Sequence, residues 1–307
     1  MRNRAVPGVA ILLLAAGLLF AQGRLGMDFT PGLVPVTEDV FAYEGQLQLE
    51  GEEEILRVNS LVVVTDEGVL IADGQANPDE GRRLLGEIRK VTSLPVRFIV
   101  NASPHGDHTG SNNVFPDAVI LSHVNARKAM AQTLERQSGV GIRPRLPEVL
   151  YEDQMILQLW DKRIELRYFG AGHTEGDTVV YLPEEKVAFL SELYFNGVFA
   201  SVAEGHAQEH LVTLSRIMEL DVEWFLPAHG LIRGQSPAQL RAGLKRYYDN
   251  VQAIQDLVVR HLEQGDSLET TLAQSDQELG DFALLPFYSF LKERSISGVY
   301  NRLSKER

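Results

Sequence analysis

The sequence predicts an α/β protein of two sheets covered on their outer faces by helices. Apolar, β-branched runs come in hairpin-like pairs in both halves, amphipathic segments with helix start signals separate them, and histidines gather in loops that follow strands. A chain of 307 residues with 44% apolar content can bury a core of this kind, as one large domain or as one domain with an appendage.

The start, "MRNRAVPGVAILLLAAGLLFAQG", reads as a signal peptide over residues 1–23: Arg2 and Arg4 precede an apolar run at 9–20, and Ala21 or Gly23 suits cleavage. The run falls short of the about 20 apolar residues a membrane helix needs. Export to the periplasm or outside the cell is therefore expected, with no stable membrane insertion after cleavage. Residues 24–235 are expected as the main domain and 236–307 as a C-terminal helical extension.

Residues 61–65 and 69–73 flank the turn "DEG" at 66–68, a hairpin signal. In "NPDEGRRLLGEIRKV", Asn77 can cap, Pro78 fits the first helical position, and Glu80 completes a capping box. Leu84, Leu85, Ile88 and Val91 form the apolar face of this helix. "PVRFIV" at 95–100 is a buried strand, 119–122 another, and 125–137 a polar-faced helix, before Pro and Gly interrupt the pattern at 139–147. Two further hairpins follow at 154–169 and 178–190, the second turning at 183–186. A helix at 208–220 and the strand and loop "WFLPAHG" at 224–230 precede the long helix that Ser236 and Pro237 open and Gly265 ends. Asp266 and Glu269 form a further capping-box pattern. Phe287, Tyr288, Phe290, Leu291, Val299 and Tyr300 are available to dock the last helices.

The net charge of −13 argues against nucleic acid and anionic membrane surfaces as partners and leaves small-molecule substrates. With no cysteine, there is no disulfide framework and no thiolate ligand, so any metal must be held by His, Asp or Glu.

Such residues cluster. "NASPHGDHTGSN" at 101–112 sets His105, Asp107 and His108 on one loop after a strand; "GAGHTEGD" at 170–177 adds His173; "LPAHG" at 226–230 adds His229. Imidazole and carboxylate suit zinc or a similar ion. His206 and His210, four apart, share a helix face and read most simply as a solvated helix start. His123 is expected to be structural, and His261 to complement the end of the long helix. The acidic run Glu50, Glu52, Glu53 and Glu54 reads as a solvated turn.

The ordered set "NASPHGDHTG … GHTEGDTVVYLP … FLSELYFNG … LPAHG" resembles the metallo-β-lactamase-fold hydrolases over most of residues 55–235. That family's pattern is HxHxDH, a Gly-His-Thr loop, an Asp after a strand, and a terminal His. The resemblance implies a four-layer αββα sandwich with metals at one edge between the sheets. It also implies that His105 and His173 face a first metal while Asp107, His108 and His229 face a second.

Two positions depart from this pattern. Ser103 stands where the family has its first His, so the first metal keeps two of its three imidazoles; Ser103 could instead bind a water or substrate oxygen. Glu192 replaces the bridging Asp, and its extra methylene is expected to make it ligate one metal rather than bridge two. One tightly bound zinc is expected, with a second ion weak or absent. His108 and the lack of cysteine are similar to the lactamase group with an Asp-His-His second site. The implied activity is hydrolysis of an ester, thioester, lactone or amide carbonyl by a metal-bound hydroxide, Asp107 being both ligand and catalytic acceptor. The alternative is a catalytically degenerate metal- or ligand-binding member of the same fold.

Overall fold

The computed structural model describes residues 29–136 and 145–307. The expected signal peptide, and residues 139–144 of the Pro- and Gly-rich stretch, lie outside the described residues. Among the described residues no helix is long and apolar enough to cross a membrane.

Strands β1 (Gly32–Pro35), β2 (Val40–Gln48), β3 (Ile55–Val64), β4 (Val69–Ala72), β5 (Val96–Asn101), β6 (Val119–His123) and β7 (Val149–Tyr151) lie side by side in that order. A second sheet holds β8 (Gln154–Leu159), β9 (Lys162–Arg167), β10 (Val179–Leu182) and β11 (Val187–Phe189). β12 (Phe195–Asn196) returns to the first sheet, β13 (Trp224–Leu226) runs parallel to β11 in the second, and β14 (His229–Gly230) pairs with β12 and β3. The helices are α1 (Pro78–Val91), α2 (Gly106–Thr109), α3 (Val124–Arg136), α4 (Ala207–Met218), α5 (Pro237–Gln264), α6 (Leu268–Glu278) and α7 (Tyr288–Glu306).

The layers follow from the two-residue period of the strands. Leu61 and Val63 of β3 point inward, where they meet Val40, Leu70, Val100 and Leu121 of the first sheet and Ile164, Val180, Phe189 and Leu226 of the second. Val62, between them, points outward with Ile71, Ile99 and Ile120 and packs under Leu84 and Ile88 of α1. On the far side Val179, Ala188 and Phe225 pack against Leu214 of α4 and Leu244, Val251 and Ile254 of α5. The expected αββα sandwich is formed.

The residues expected as an extension share this core. α5 forms part of the outer layer itself, and Ile296 and Val299 of α7 join the same cluster. Residue 236 is thus a helix start within one packed unit, with Ser236 and Gln239 forming the capping box and Gly265, at φ 79°, the left-handed cap.

Several local expectations are corrected. β1 and β2 add to the predicted strands; the apolar alternation of β2 is broken by Glu44, which is buried because it pairs with Arg57 at 3.2 Å and accepts from the backbone of Ile232. Asn77 caps α1, but Glu80 turns away to Arg83 and Gln46. Val91, at the end of α1, is exposed. Ser267 caps α6, freeing Asp266 to bind His261. His206 and His210 are buried rather than solvated: His206 contacts Arg302, and His210 Nε2 meets the Leu193 carbonyl at 3.1 Å. Burial holds the His210 ring neutral, pushing its pKa down to about 3.

Candidate metal centre

All the predicted ligand loops meet at one edge of the sandwich. β5 delivers His105, Asp107 and His108 on a single tight turn, the last two within α2. The α2 turn is pinned because Gly74 N donates to the His108 carbonyl at 2.7 Å. His173 sits in the loop between β9 and β10, Glu192 on the short turn after β11, and His229 on β14.

The His229 strand needs its neighbours close. Gly230 has φ 91°, and a Cβ there would lie 1.9 Å from the Asn196 carbonyl oxygen, so only glycine fits. Asn59 of β3 clamps the same loop by donating to the carbonyls of Pro227 and Gly230, each at 3.1 Å.

Two ligand groups result, and they share one carboxylate. Asp107, His108, Glu192 and His229 form one; His105, His173 and Glu192 form the other. Glu192 Oε1 lies 3.2 Å from His173 Nε2 and 3.5 Å from His229 Nε2, while Oε2 lies 2.6 Å from His105 Nδ1. The longer side chain of Glu192 puts its carboxylate between both groups. Ser103 does not line the cavity as a free hydroxyl; it is fully buried, donates to Glu192 and accepts from His105 N at 3.2 Å.

The tautomers point to a cation. His229 Nδ1 donates to the Arg57 carbonyl at 2.8 Å, and His173 Nδ1 to the Ser201 carbonyl at 2.8 Å, so in the neutral ring it is Nε2 that turns its lone pair inward. His108 Nδ1 lies 3.2 Å from Asp73, and its Nε2 faces His229 Nε2 at 3.3 Å. Two facing lone pairs repel unless a proton or a metal ion sits between them. The donor set of imidazole and carboxylate, with His229 and His173 held from behind at Nδ1, fits a zinc-like ion.

Without an ion, protons take this role. Burial opposes charge on His108, yet Asp107, Asp73 and Glu192 outweigh it and push its pKa up to about 10. The same contest ends with His105 and His173 raised as well, chiefly by Glu192. Burial would raise Glu192, but His105, His173 and His108 hold it well below the usual carboxylate range.

Two buried acids are absent from the sequence-based ligand set. Asp73, at φ 57° after β4, accepts from Ala102 N at 2.8 Å and from the Ser191 hydroxyl, besides facing His108. It ties both ligand turns to one strand end. Asp177 accepts from Thr174 N and Oγ1 and so closes the His173 loop; burial pushes its pKa up to about 6. The signal for Asp73 was an acid followed by Gly at the end of an apolar strand; for Asp177 it was the acid ending "HTEGD".

A family model, the metallo-beta-lactamase superfamily, matches residues 55–229. The chain is 24% identical over 213 residues to the 2,4-dinitroanisole O-demethylase subunit alpha of Nocardioides sp. (strain JS1661), across 66% of this chain and 64% of that protein. It thus spans less than two thirds of that relative. It is 22% identical over 184 residues to the metallo-beta-lactamase type 2 of Bacillus cereus, across 58% of this chain and 68% of that protein. Among solved structures, a metallo-beta-lactamase from Pontibacter korlensis superposes with a TM-score of 0.61 at 18% identity, over 73% of this chain and 99% of that one. The DIM-1 metallo-beta-lactamase gives 0.59 at 19% identity, over 72% and 97%. Together with the αββα layers and the ligand loops at their edge, the family match shows that this chain belongs to the metallo-β-lactamase superfamily.

Proposed function

We propose that the protein is an exported metal-dependent hydrolase of an ester, thioester, lactone or amide carbonyl, with one zinc held tightly by Asp107, His108, Glu192 and His229. A second ion at His105, His173 and Glu192 is held weakly or not at all, because that group has lost the imidazole that Ser103 replaces. The observation that carries the reading is the 3.3 Å approach of His108 Nε2 to His229 Nε2, with the His229 ring locked by a carbonyl behind it.

An ion bound there would supply a water acidic enough to ionise near neutral pH and a Lewis acid for the carbonyl oxygen. The chain's own part is to place the reacting groups. Asp107 is the partly exposed carboxylate of its group, with Oδ2 3.4 Å from both His108 and His229. Its other oxygen is left to accept a proton from the attacking water. Leu47, Leu49 and Leu56, with Phe287, Phe290 and Leu291, give the cavity above it apolar walls. The relatives are named as lactamases and as an O-demethylase subunit, so no single substrate follows from likeness.

The test is hydrolysis by zinc-loaded protein across esters, thioesters, lactones and amides, with His229→Ala as control. Turnover lost in the variant supports the reading. A zinc-loaded protein inert on the whole panel favours the second reading, a binding member without turnover, for which the missing imidazole at Ser103 speaks.

A further inference from the structure

The cavity over the ligand cluster encloses about 570 Å³, a size suited to a small organic molecule. Its walls are apolar on two sides. Leu47, Leu49 and Leu56 come from the β2–β3 hairpin; Phe287, Phe290 and Leu291 come from the start of α7. Phe287 caps α7, and Phe290 and Leu291 follow on the first turns of the helix, which turn toward the cavity while Ile296 and Val299 dock the helix on the core. Phe287 is held at φ 61°, a conformation that aromatic residues rarely adopt. Such strain persists only where surrounding structure enforces it.

Arg294 continues this face one turn further and, among the described residues, is the only Lys or Arg that lines the cavity. Its guanidinium lies over the Phe290 ring, 4.8 Å from the centroid. Among the described residues no carboxylate is within ion-pair distance of it, in a protein with 42 acidic residues and 29 Lys and Arg. Glu204, also in the lining, is turned to His105, with Oε1 3.8 Å from Nε2. The cavity therefore offers metal-ligand chemistry at its floor, hydrocarbon walls, and one uncommitted cation on the α7 side.

We infer that the site takes an anionic amphipathic substrate: an aryl or alkyl body carrying a carboxylate or similar anion, which Arg294 pairs with while the scissile carbonyl lies at the ligand cluster. This rests on the hydrolase reading for its catalytic half and on the cavity alone for its binding half. The planar guanidinium suits two-point pairing with a carboxylate, and the ring beneath it keeps it in place. A neutral molecule of the same shape would leave Arg294 unused.

Calorimetric titration of the zinc-loaded protein with 4-phenylbutyrate and the neutral 4-phenylbutanol separates these cases. The anion is expected to bind about tenfold or more tightly than the alcohol. Arg294→Ala should erase that preference, and Arg294→Lys should keep part of it. Arg294 is exposed and, among the described residues, makes no hydrogen bond, so neither variant threatens the fold. Equal binding of the two probes, no binding of either, or a preference that survives Arg294→Ala because the ion alone holds the carboxylate, each overturns the inference. A parallel comparison of nitrophenyl hexanoate with the nitrophenyl hemi-ester of adipate distinguishes the two claims. Arg294→Ala should raise KM for the charged ester about tenfold relative to the neutral one. Arg294-dependent binding without hydrolysis of either ester defeats the hydrolase reading alone; hydrolysis of both without discrimination defeats this one alone.

Discussion

The Ser103 hydroxyl donates to the Glu192 carboxylate, so the two positions at which this chain departs from its family's ligand pattern touch each other. The departures are complementary. Serine leaves the space that an imidazole would fill, and the extra methylene of glutamate carries its carboxylate toward that space. From there Glu192 still reaches His105, His173 and His229.

Each member of this pair gives a separate expectation. Ser103→Ala removes a donor from a buried carboxylate and should cost about 1–3 kcal/mol in the metal-free protein, read by denaturant unfolding. Identical midpoints for variant and parent would show that the contact contributes nothing. Glu192→Asp withdraws the carboxylate by one methylene and should weaken zinc binding by about tenfold or more, read by competition with a chelator. Unchanged affinity would mean that the reach of the Glu192 side chain does not set zinc binding.

Stability of the metal-free protein should depend on alkaline pH. His108, His105 and His173 are raised in the folded state, so the stability they contribute is fully present below their unfolded value of about 6.5. It is lost as pH rises through the folded values, about 10 for His108. Thermal midpoints should therefore fall between about pH 6.5 and 10, and zinc, which replaces the His108 proton, should reduce the fall. Midpoints that hold steady or rise over this range without zinc would contradict the protonation pattern.

Asp73 acts behind the ligands. Asp73→Asn keeps the shape but removes the charge facing His108 Nδ1 and one acceptor for Ala102 or Ser191. Zinc affinity should drop by about 10- to 100-fold with circular dichroism unchanged. Parent-like affinity would place Asp73 outside the site's support.

Residues 236–307 should not behave as a dispensable appendage. Leu244 of α5 is fully buried against the second sheet, so Leu244→Ala should cost about 2–5 kcal/mol of global stability. A change below about 0.5 kcal/mol, the range of surface substitutions, would mean that α5 is loosely attached.

The ligand loops were legible because each imidazole stands in a short polar motif directly after a strand, a local pattern. The support for them was not. Asp73 and Ser191 are 118 positions apart, and only the packed sheets reveal that they meet. Likewise the pairing of Ser103 with Glu192 spans 89 positions, so two apparent defects read separately, when in space they form one contact. The strand at 40–48 was hidden because buried Glu44 interrupts its apolar pattern, and its partner Arg57 lies on the next strand. The capping of α6 misread by one residue because Asp266 and Ser267 are both good caps, and only the position of His261 decides between them.

The central claim is that Asp107, His108, Glu192 and His229 hold a metal ion tightly. Elemental analysis of zinc-loaded protein after exhaustive dialysis tests it most directly. The account predicts close to one zinc per chain, lost on His229→Ala while circular dichroism stays unchanged. No retained zinc, two ions retained equally, or a His229→Ala protein that keeps its zinc would contradict it.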